Sequence, residues 1–152
     1  MSLRLAAALA SLFRSPPIRD HDDPVLGRLT WRASTERWVS QPLSADRPFS
    51  LEFSRHRKSL APTDDCLRVA RDIATNPGQL EEQVRIQLVY AAERRPPEMR
   101  ARVIALRVSC VTFTSEAGQV SGEVLLDGDP PLTNWSIWHT NGVPNLVVQH
   151  WE

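Results

Sequence analysis

His139 and His150 stand on either side of Asn141-Gly142 near the C-terminus. Asn-Gly between runs of alternating apolar residues marks a tight β-hairpin, because both residues tolerate positive φ. On paired strands the two histidines would begin a metal site or an acid–base pair. A metal needs a further ligand from elsewhere in the chain, and Asp20, His21, Asp22 and Asp23 offer the right side-chain types. Such a site would make the protein a hydrolase or a metal-dependent enzyme. The plainer reading makes both histidines half-buried sheet residues and the acidic cluster a solvated linker. It is preferred here, because several ligands must converge on a metal and no spacing in this chain enforces that.

Other reactive signatures are missing. There is no G-x-S-x-G, Glu52 and Glu123 are single acids rather than a pair, and none of the six glycines forms G-x-G. A nucleophile elbow and a phosphate-cradling loop are therefore not expected. Cys66 and Cys110 belong to no C-x-x-C, and the expectation is two buried free thiols in a reducing compartment. No cofactor and no metal are expected.

Aromatic residues carry more information. Residues 135–151 hold three of the five tryptophans. Alternation puts Trp135, Ile137 and His139 on one face of a strand and Ser136, Trp138 and Thr140 on the other. Large aromatics on both faces mean that both are covered or that one is presented to a partner. Trp135, Trp138 and Trp151, with Arg37, are the candidate binding residues, since aromatics and arginine are enriched at interface hot spots. The expected partner is another protein. Eighteen basic and eighteen acidic residues cancel, which argues against a nucleic-acid or membrane-surface binder. The runs at 55–58 and around Arg94 and Arg95 read as a turn and an exposed helix end, where cations complement the helix dipole.

The elements that must position these residues fall into three blocks. At 152 residues with 41% hydrophobic content, the chain is the size of one globular domain. Residues 1–22 are expected as a short amphipathic helix, with Leu5, Leu9, Leu12 and Phe13 on one face, followed by a polar linker; residues 23–152 form a single domain. The apolar run to Phe13 is too short to span a bilayer and too short before Ala8-Leu9-Ala10 for a secretion leader, so a cytoplasmic protein is expected. Period-two alternation around Leu29-Trp31, Trp38-Val39 and Phe49-Leu51-Phe53 predicts three antiparallel strands. Thr63 followed by Asp64-Asp65 predicts a helix start, and Asn76-Pro77 ends that helix and opens a second, broadly apolar one. "R-R-P-P" closes the second, and Pro97 begins one more helical turn. Alternation then returns over 106–113, 120–126, 135–140 and 143–151. The expected fold class is α+β, with antiparallel strands at the N- and C-terminal ends packed on a central pair of α-helices.

"D-P-V-L-G-R-L-T-W" at 23–31, followed by Glu36-Arg37-Trp38, resembles the opening strands of small bacterial proteins classed as domains of unknown function. The C-terminal stretch "V-T-F-T…G-Q-V…N-W-S-I-W…N-G-V-P-N-L-V-V" is similar to theirs in layout, and the likeness runs over residues 23–150. It implies an α+β fold and no activity. Some such proteins look like members of toxin–immunity or contact-dependent systems, whose task is to bind a partner protein. Those proteins often carry a glycine-histidine pair where Asn134-Trp135 stands here, so no role of that histidine is carried over. The functional expectation is a non-enzymatic protein-binding module of immunity or accessory type.

Overall fold

The computed structural model describes residues 17–128 and 135–149, apart from the side chains of Leu146 and Gln149. The first block supplies β1 (His21–Asp23), β2 (Gly27–Arg32), β3 (Arg37–Val39) and β4 (Ser50–Ser54), joined in antiparallel succession. Asp23 builds the β1–β2 turn. Its carboxylate accepts the N–H groups of Val25 and Leu26, each at 2.9 Å, the local bond that makes aspartate a turn former. The same carboxylate takes a fork from Arg71 at 2.6–3.3 Å.

The middle block is helical: α1 (Asp64–Thr75), α2 (Pro77–Glu93) and α3 (Pro97–Ile104). Thr63 caps α1 through its hydroxyl, which accepts the Cys66 N–H at 3.4 Å, and Asp64 and Asp65 occupy the first turn. Pro77 opens α2, where its missing N–H costs nothing. The last block supplies β5 (Arg107–Glu116), β6 (Gln119–Asp127), β7 (Trp135–Thr140) and β8 (Val143–Gln149). Ala117-Gly118 and Asn141-Gly142 both have positive φ at the two turn positions, so each closes a two-residue hairpin whose twist suits the strands.

The expected arrangement of two strand blocks around a helical pair is corrected. All eight strands form one mixed sheet in the order β1 to β8. The two blocks are fused by a parallel pairing of β4 with β5, which sets Leu51 beside Val111 and Phe53 beside Phe113. Three helices make the crossover, and a parallel pair requires a connection of that kind. Periodicity identifies strands but not their neighbours, and the β4–β5 contact spans more than fifty residues of chain. Residues 21–23, expected as part of a polar linker, form edge strand β1. The amphipathic helix expected within residues 1–16 lies outside the described residues.

The helices cover one face of the sheet. α1 packs on β5 and β6, and α2 packs on β8. Leu51, Phe53, Val111, Phe113, Val124, Leu126, Trp135 and Ile137 lie beneath them, each at most 2% exposed. Burying one such side chain stabilises by about 1.5–3 kcal/mol. From the helix side, Cys66, Leu67, Ala70, Ile73, Leu80, Val84, Leu88 and Val103 complete the core. Among the described residues, no helix is long and apolar enough to cross a membrane.

Candidate functional site

His139 lies on the helix-covered face of β7 and is buried. Its Nε2 is 2.8 Å from the Thr112 carbonyl. A carbonyl only accepts, so Nε2 carries the proton, and Nδ1 accepts the Gly142 N–H at 3.4 Å. Reaching Thr112 on β5 means crossing β6, and the ring does so at Gly122, its register partner. A Cβ at Gly122 would meet Thr112 O at 1.8 Å and His139 Nε2 at 2.8 Å. The β5–β6 ladder adapts at the same place, with the Glu123 N–H donating to Thr112 Oγ1 at 2.9 Å. Burial holds the imidazole below its ordinary pKa, against the opposing pull of the Thr112 carbonyl. His139 is thus a neutral core residue with both ring nitrogens engaged, in tilted contact with Phe113 at 5.4 Å.

Two of the acids expected to join it are committed elsewhere. Asp20 takes Arg28 and the Trp31 N–H, and Asp23 takes Arg71 and its own turn. His150 lies outside the described residues, so its position relative to His139 is not described. Among the described residues no three metal-ligating side chains converge. Both cysteines are free and buried. Burial raises each thiol pKa, and for Cys110, with the nearby Glu52 charge adding to burial, the value reaches about 12. Neither is an activated nucleophile, which requires a lowered pKa.

The candidate binding residues divide between the two faces. Trp138 and Arg37 share the face opposite the described helices. One register row crosses it: Val39 beside Glu52, Glu52 beside Thr112, and Glu123 beside Trp138. Arg37 donates to Glu52 across β3 and β4 at 3.0 Å. Trp138 is 42% exposed. Four strand spacings separate Arg37 from Trp138, roughly 19 Å, so the two share a face without touching. Trp151 lies outside the described residues.

Trp135 is on the other face and only 2% exposed. It walls a cavity of ≈ 380 Å³ between the C-terminal end of α2 and strands β7 and β8, with Tyr90, Ala91, Arg94, Arg95 and Val147. The Arg95 guanidinium lies over the indole, 5.1 Å from its centre. Among the described residues the buried indole N–H has no hydrogen-bond acceptor, a condition that costs on the order of 1–3 kcal/mol where it persists. Tyr90 lines the cavity, and the broadly apolar pattern of α2 does not single it out. Only Leu80, Val84, Leu88 and Ala92 are buried, whereas Ile86 and Tyr90 are exposed. The available signal was the pairing of Tyr90 with Arg94, one helical turn on.

Comparison of the chain with protein-family models, with curated proteins and with solved structures found no match.

Proposed function

We propose that the protein is a non-enzymatic protein-binding module, of the kind an immunity or accessory protein would be. Its contact surface is the sheet face around Trp138, opposite the described helices. The observation that carries this reading is the placement of Trp138. It is a large aromatic, 42% exposed, on the face turned away from α1, α2 and α3, and it is followed in sequence by a histidine fully committed to the core. An indole on a rigid strand offers wide contact area at little entropic cost. The flanking row of Glu123, Thr112 and Glu52, with Arg37 beyond, supplies the polar surround typical of such a contact.

The test is affinity capture using the products of neighbouring genes as bait, followed by Trp138→Ala and Arg37→Ala. A specific partner whose affinity falls roughly thirty-fold or more with Trp138→Ala supports the reading, that being the scale of a hot-spot residue. Arg37→Ala should have a smaller effect, because it also frees Glu52. Partner binding indifferent to both substitutions would place the contact elsewhere. A purified chain that turns over substrate when supplied with a divalent metal would overturn the non-enzymatic reading.

A further inference from the structure

We propose that the cavity between the end of α2 and strands β7–β8 binds a small organic carboxylate with an apolar body. This site lies on the face opposite Trp138, so it stands or falls separately from the protein-binding surface. Its charge is one-sided. Arg94 and Arg95 line it together with Gln87 and Asn145, and among the described residues no carboxylate does. The ion pairs of the described residues use other arginines. Complementing the dipole at the end of α2 accounts for two cations there. It does not account for the placement of the Arg95 guanidinium over the Trp135 indole, nor for a buried indole donor with no acceptor among the described residues.

A carboxylate meets the first of these. Arginine presents a planar fork that matches a carboxylate edge, and stacking on an aromatic ring orients that fork in advance. The remaining walls are Trp135, Ala91 and Val147, with the exposed Tyr90 at the rim. An apolar body beside the acid group would cover them. The volume of ≈ 380 Å³ falls in the small-ligand range. The larger cavity of ≈ 530 Å³ between α2 and the start of β5 also holds arginines. There, however, Arg47 is satisfied by Glu81 and Arg85 by Glu82, and Arg107 shares the lining with the carboxylates of Asp46 and Glu81, so the charge is not one-sided.

Phenylacetate is the probe, benzyl alcohol its neutral counterpart, and inorganic phosphate and a glutamate-rich peptide the alternative anions. The readout is the Trp135 indole N–H resonance, assigned by its disappearance in Trp135→Phe. The expected result is a saturable shift with phenylacetate, none with benzyl alcohol, and affinity weakened roughly ten-fold or more in Arg95→Gln. Arg94→Gln carries the same readout if the first variant unfolds. Equal shifts from the acid and the alcohol would overturn the proposal. So would the absence of a saturable shift at millimolar phenylacetate, or tighter binding of phosphate or the peptide.

Discussion

Trp135 and Trp138 sit three residues apart on β7 and meet opposite fates. Trp135 faces the helices, lies under Arg95 and is 2% exposed; Trp138 faces away and is 42% exposed. Ile137 and His139 are sealed beside Trp135, Trp138 lies beside Glu123 in register, and Ser136, on the face of Trp138, is buried as well. The comparison teaches that alternation assigns a residue to a face, and that only the covering layer decides what the face is for. On the covered side even a histidine becomes a packing residue. On the bare side a tryptophan is left available for a contact.

If that division is right, stability should reside almost wholly on the covered face. The largest effect is expected from Phe113→Ala. This residue is fully buried, stacked on Phe53 at 5.2 Å and in contact with His139, and its truncation should cost about 3–5 kcal/mol in urea unfolding. A loss below about 1 kcal/mol would show that this face is not the core. Gly122→Ala should come next, at about 2–3 kcal/mol. The added methyl is driven into the Thr112 carbonyl and the His139 ring, and the His139 resonances should report a displaced imidazole.

Acid should act third, through Asp23. Burial alone would raise its pKa, but the Arg71 fork and the Leu26 and Val25 N–H groups outweigh burial and bring it from 3.8 to about 2. A carboxyl depressed by folding contributes stability that is complete above its unfolded pKa and is lost as pH falls through the folded one. Between about pH 5 and pH 2 the protein should therefore lose on the order of 2 kcal/mol that Asp23→Asn does not lose. Parallel pH profiles for the two proteins would refute this role for the carboxylate. The smallest effect is expected from Trp138→Ala, about 1 kcal/mol or less in thermal or urea unfolding, since the side chain is already partly in water. A larger loss would mean that the bare face is structural after all.

Much of the local architecture was legible in the residues. Thr63 marks a helix start because its cap is a bond between residues three apart, and Pro77 marks another because its ring suits the first helical position. Asn141-Gly142 marks a hairpin because tolerance of positive φ is local to the two residues. The candidate site was less legible. Trp138 and Trp135 were assigned to opposite faces correctly, but which face would be covered depended on where three helices came to rest. Apolar type alone does not make Ile86 and Tyr90 core: they lie about 200° of helical turn from the buried Val84 and Leu88 and face outward from α2.

Element type, turn chemistry and the parity of each strand residue follow from interactions within a few positions, and the chain specifies them locally. The parallel joining of β4 to β5, the passage of His139 over Gly122 to Thr112, and the seating of Arg95 on Trp135 depend on contacts between distant segments. Hydrophobic burial, which drives those contacts, is non-directional. It states that a strand must be covered without stating by what, and so the partners of each face were decided only in the folded molecule.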